Sequence, residues 1–108
     1  MSGEIIVMIT CPADNARAIA SLLVEEKLAA CVNIVSGVTS IYSWQGKVEE
    51  SSESLLVVKS QRQLFGELEA RVRVVHPYDI PEVIAFDLAD GSKPYLNWLN
   101  EAVSVRVK

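Results

Sequence analysis

Two cysteines, one histidine, five glycines and four prolines leave this 108-residue chain short of the residue types from which most recognisable sites are built. Cys11 and Cys31 lie far apart with no C-x-x-C spacing. That excludes a disulfide framework and a structural zinc ribbon, and makes a reducing compartment the default. Glycine is too scarce for a phosphate-cradling loop, and neither G-x-S-x-G nor H-E-x-x-H occurs. The longest apolar runs, such as Ile5–Ile6–Val7–Met8–Ile9, stop at five residues, far short of the ~20 that cross a bilayer. Basic residues are the minority, ten against fourteen acidic ones, for a net charge of −4. A mildly acidic surface argues against a nucleic-acid partner. Met1–Ser2–Gly3–Glu4 lacks the basic start of a signal peptide, so a cytoplasmic location and no membrane partner are expected.

What the chain has is apolar content, 50% of its residues, with 22% charged. One core is affordable at this length, and no linker or repeat divides it, so residues 1–108 are read as one domain. Glu4 to Thr10 reads as a buried strand. From Asp14 to Lys27, Ala16, Ile19, Ala20, Leu23 and Val24 recur at helical spacing. Cys31 to Trp44 is extended, with Ser36–Gly37 as a bulge or bend. Gln45–Gly46 is the turn of a long hairpin, whose return strand is polar at first and apolar through Leu55–Val58. Ser60 and Gln63 match a capping box, and Phe65, Leu68, Val72 and Val75 line one face of the helix that follows. Pro77 ends that helix near His76. A strand over Glu82 to Leu88, an Asp90–Gly91 turn and a helix opened by Pro94 come next. Val103, Val105 and Val107 alternate as in a last strand.

The order β-α-β-β-α-β predicts an α+β ferredoxin-like sandwich, with a long β2-β3 hairpin and an extra C-terminal helix and strand. One sheet face is left open although its strands are apolar on both sides. Self-association is the simplest cover, with the hairpin and the last strand as pairing edges.

The densest chemistry lies in His76–Pro77–Tyr78–Asp79–Ile80–Pro81–Glu82, where two prolines fix an imidazole, a phenol and carboxylates in one loop. Two readings fit it: a binding loop, or a helix end with His76 solvated and favoured by the helix dipole. Tyr42 and Trp44, two apart on a strand, place both rings on one face, to stack on a ligand or to anchor an interface. Lys59 closes an apolar strand, where it either meets an anion or snorkels to solvent. Trp98 falls on the apolar stripe of the last helix, as core or interface. Cys11 sits where a strand-to-helix turn exposes side chains, whereas Cys31 reads as a small buried residue. His76 and Cys11 offer donors suited to copper or zinc, with Glu82 as a third donor or as the group that orients the histidine. Tyr78 and a neighbouring chain's Lys59 complete this cleft. A histidine ligand must be deprotonated, so affinity is expected to fall below about pH 6.5.

Six stretches in register carry a family likeness: Thr10–Cys11–Pro12, Leu28 to Ile34, Ser40 to Lys47, Glu53 to Ser60, His76 to Glu82, and Tyr95 to Leu99. Across nearly its whole length the chain resembles the CutA (divalent-cation tolerance) proteins. The resemblance implies a ferredoxin-like protomer in a tight homotrimer and a link to copper or divalent-cation tolerance. On that reading the chain is no enzyme and requires no cofactor. It binds Cu2+, another divalent cation or a small ligand at an inter-subunit cleft, at Tyr42, Trp44, Lys59, Tyr78 and Glu82, with His76 and Cys11 as metal ligands. The alternative is a PII-like signalling module acting through an unidentified protein partner. An acylphosphatase on the same fold would need a glycine-rich anion loop with its arginine, and that is missing.

Overall fold

The computed structural model describes residues 3–104. A four-stranded sheet in the order β2-β3-β1-β4 is its frame. It is built from β1 (Glu4–Cys11), β2 (Cys31–Trp44), β3 (Lys47–Gln61) and β4 (Val83–Asp87), with every neighbouring pair antiparallel. Helices α1 (Ala13–Glu25), α2 (Phe65–Val75) and α3 (Lys93–Val103) complete the order. The connectivity and strand order are those of the expected ferredoxin-like sandwich.

Strand alternation decides where the core sits. Ile5, Val7, Ile9 and Cys11 of β1 point to one face with Leu56 and Val58 of β3. There they meet Ala16, Ile19 and Leu23 of α1 and Leu68 and Val72 of α2, all buried. Helix α1 stops because Lys27 takes a left-handed φ of 61°. The Lys27 and Leu28 amides then donate back to the carbonyls of Val24 and Leu23, closing the helix as a Schellman motif. A fork of two hydrogen bonds, each 2.9 Å, from Arg71 to Glu26 ties α2 to the end of α1.

The opposite sheet face is only partly covered. Asn100 of α3 donates to Glu4 at 2.9 Å and meets Gln61, while Leu99 and Val103 pack with Ala30 and Leu64. The rest of that face carries Met8, Leu55 and Val57, half-buried, and Val35, Ile84 and Phe86, exposed. Beyond Cys11, which pairs with Ser54, β1 no longer supports the hairpin. Residues 38–53 therefore run on as a two-stranded ribbon. Its turn is the expected one, with Gln45 and Gly46 at φ 50° and 80°, the type I′ signature. The ladder also shifts register between Val35 and Val38, so Ser36–Gly37 is a bulge, with Gly37 at φ 73°.

Three expectations about elements need correction. Ser60 does not cap a helix. It belongs to β3, and its buried Oγ donates to the Leu28 carbonyl at 2.6 Å. Strand pairing continues to Glu4↔Gln61 and outlasts the local capping signal, so a 3-10 turn, Arg62–Leu64, leads into α2 instead. Val103 closes α3 and Ser104 caps it, with its backbone amide reaching the Glu101 carbonyl. The rest of the expected final strand, with Val105 and Val107, lies outside the described residues. Helix α1 ends at Glu25 rather than Lys27.

Candidate functional site

Where the ribbon leaves the sheet, its base, the end of β1 and the loop after α2 enclose a cavity of about 640 Å³. Each wall has a local cause. Pro77 turns the chain out of helix, with His76 at ψ 139° and its backbone amide still bonded to the Val72 carbonyl. The His76 ring then lies inside the fold, 6% exposed. Its Nε2–H donates to the Thr10 carbonyl at 2.8 Å, and its Nδ1 accepts the Tyr78 amide at 3.1 Å. These two partners assign the ring tautomer and clamp the loop to the end of β1. The Tyr78 ring packs on the imidazole, centroids 4.7 Å apart, and its hydroxyl donates to Glu53 Oε2 at 2.8 Å.

Glu53 is the residue that sequence reasoning missed as a site residue. It shares the strand face of Leu55 and Val57, yet only 6% of it is exposed. An acidic residue in the inward alternation of an apolar strand was the available signal. Burial, the hydrogen bond to Glu53 and the charge of Glu53, in that order, push the Tyr78 phenol up to about 12. Tyr78 is thereby held as a hydrogen-bond donor. On the opposite wall, the Thr10 hydroxyl donates to Glu82 at 3.3 Å.

Three carboxylates (Glu53, Asp79, Glu82) and three aromatic rings (Tyr42, Trp44, Tyr78) line the cavity. Hydroxyls of Thr10, Ser40 and Ser51, with Ile41 and Ile80, complete it, and no basic side chain is among them. Tyr42 and Trp44 do share a face, and both rings are half-exposed to this space. The structure thus gathers four of the sequence-derived candidates: Tyr42, Trp44, Tyr78 and Glu82.

The other three lie elsewhere. Cys11 is not exposed at a turn: it is 0% exposed in the core cluster between the sheet and the helices. Burial first, and then the charge of Glu53, push its thiol up, away from the thiolate a soft metal needs. His76 borders the cavity from behind, with both ring nitrogens engaged. Lys59 pairs with Ile6 in mid-sheet, where its Nζ meets Asn33 and lies 3.9 Å from Cys31. Cys31 is half-buried rather than enclosed. It faces Lys59 and Tyr95, whose phenol is pushed up by burial first and then by Cys31. Among the described residues no group of three or more His, Cys, Asp and Glu side chains converges to hold a metal ion.

A ferredoxin-like sandwich with an acidic, aromatic-walled cleft at the root of a long ribbon defines a class of small α+β protein. The family description "CutA1 divalent ion tolerance protein" matches residues 5–102. The chain belongs to that family. It is 54% identical over 99 residues to the divalent-cation tolerance protein CutA of Thermus thermophilus, covering 91% of this chain and 96% of that protein. It is 46% identical over 100 residues to the chloroplastic protein CutA of Arabidopsis thaliana, covering 92% of this chain and 55% of that longer protein. A solved structure, the divalent cation tolerance protein (Cut A1) from Thermus thermophilus, superposes with a TM-score of 0.90 at 53% identity, covering 92% of this chain and 97% of that one. These descriptions name a tolerance protein rather than an enzyme, and they lend no support to the signalling alternative. Among the described residues no helix is long and apolar enough to cross a membrane.

Proposed function

We propose that the chain acts without catalysis, as a homotrimer that takes up a cation in the cleft between the ribbon and the His76–Glu82 loop. The observation that carries this reading is the lining of the cleft: three carboxylates, three hydroxyl side chains and no basic group. Such a wall sets a negative potential that concentrates cations and repels anions. It also sits beside the exposed apolar face of Ile84 and Phe86, 47% and 53% exposed. A face of that kind is where an obligate partner copy docks, burying on the order of 2,000 Å² or more. A single chain supplies no metal-binding group among its described residues. A divalent ion such as Cu2+ would therefore draw its oxygen ligands from Glu53, Asp79 and Glu82 together with a neighbouring copy. His76 positions Tyr78 and Thr10, and coordinates nothing.

The test is titration calorimetry with Cu2+ and Zn2+ on the assembled protein, its Glu82→Gln and Asp79→Asn variants, and His76→Gln, which keeps a donor and an acceptor. Each carboxylate variant is expected to weaken binding about tenfold, and His76→Gln to leave it within about twofold. The opposite ranking would return the site to the imidazole and overturn this assignment.

A further inference from the structure

The cleft is a poor fit to a bare metal ion. Hard cations need six or more oxygen ligands, or a few fixed ones in a tight cage, and no such group converges among the described residues. The volume of about 640 Å³ lies in the range of small-molecule pockets, and an ion with its first waters fills little of it. The walls are also wrong for an ion alone. The rings of Tyr42, Trp44 and Tyr78 share the space with the carboxylates. Aromatic faces attract cations that carry their charge on a large, weakly hydrated surface, which a small hydrated metal ion does not offer.

We propose that this cavity is a receptor for an organic ammonium ion, held over the Tyr42 and Trp44 rings and neutralised by Glu53, Asp79 and Glu82. The inference rests on the reading that the cleft takes a cation, and it names the chemical class. Glu53 sits at the closed end, 6% exposed and bonded to Tyr78, and so sets the charge that an entering ammonium meets last. Tyr42 and Trp44 stand on the open side, half-exposed, where they can close over the methyl or methylene groups of the ligand. The hydroxyls of Ser40 and Ser51 accept from an ammonium N–H or from a hydroxyl carried on the ligand.

Choline chloride is the probe, and its neutral carbon isostere, 3,3-dimethylbutan-1-ol, is the control. Both are titrated at constant ionic strength into a Trp98→Phe protein, so that Trp44 is the only tryptophan fluorophore. Choline is expected to change the Trp44 emission saturably in the millimolar range, with the isostere at least tenfold weaker. Glu53→Gln and Asp79→Asn should each weaken choline about tenfold, and Trp44→Leu, read by calorimetry, by at least as much. Equal affinity for choline and the isostere would mean apolar contact only, and would overturn the proposal. No response to choline, with a saturable response to Cu2+ or Zn2+, would also overturn it while leaving the cleft a cation site. Silence toward all of these would remove both readings.

Discussion

Replacing Tyr78 by phenylalanine isolates the contact on which the cleft is built. The ring and its packing on His76 stay, and only the hydroxyl that donates to Glu53 at 2.8 Å is removed. A hydrogen bond to a charged group contributes about 1.5–3 kcal/mol, and a buried partner left without it bears the desolvation cost. Glu53 is 6% exposed and Tyr78 37% exposed, so water entering from the cavity replaces part of the lost bond. The lower part of that range applies, about 1.5–2 kcal/mol. For a chain of this size 1 kcal/mol moves the melting temperature by about 4 °C, which gives a drop of roughly 6–8 °C. The assay is urea and thermal unfolding at one fixed protein concentration, because assembly makes stability depend on concentration. Glu53→Gln and the double variant complete a cycle, whose coupling energy is expected to be about 1–2 kcal/mol. A Tyr78→Phe protein within about 0.5 kcal/mol of wild type, or strictly additive effects in the cycle, would show that the pair does not hold the loop.

The Tyr78 phenol, raised to about 12 from an ordinary 10.0, makes an optical prediction: phenolate absorbance should show a tyrosine step near pH 12 that moves down in Glu53→Gln. The sign for stability follows from the protonated phenol being favoured in the fold, so the contribution of Tyr78 is complete below about pH 10 and is lost as pH rises through about 12. Sedimentation equilibrium at micromolar protein is expected to give three chains, and Trp44→Ala to cost assembly about 3 kcal/mol. A clean monomer or dimer, or an unchanged trimer in the variant, would remove the ribbon from the interface.

The element order was legible because it rests on periodicity that the core enforces. Helical spacing in α1 and strand runs in β1 and β3 mark side chains that end up buried together, and the paired positive φ of Gln45 and Gly46 answers to a two-residue turn written in the sequence. Errors fell where a local signal competed with pairing at a distance. Ser60 and Gln63 have the right spacing for a cap, but Gln61 pairs with Glu4 across the sheet, and the ladder holds Ser60 as strand. The position of Lys59 failed for the same reason: with β3 running on to Gln61, the lysine is left in mid-sheet beside Cys31.

Chemical type is written in the sequence, while the direction of a lone pair is set by packing. His76 looked like a ligand because it is the lone histidine in a proline-bracketed loop. The fold gives its two nitrogens to the Thr10 carbonyl and the Tyr78 amide, and so turns the most conspicuous donor into a hinge pin. The less conspicuous Glu53 becomes the deep charge of the cleft, because the end of α2 brings Tyr78 down over β3 and shuts the carboxylate away from bulk water. Neither outcome follows from spacing, since residues 53 and 78 meet only through the sheet and the turn at Pro77. What the two together specify is a rigid acidic pocket whose open side is formed by aromatic residues of the ribbon. In such a pocket selectivity among cations is decided by ring faces and size more than by ligand count, and that separates an organic ammonium from a metal ion as its occupant.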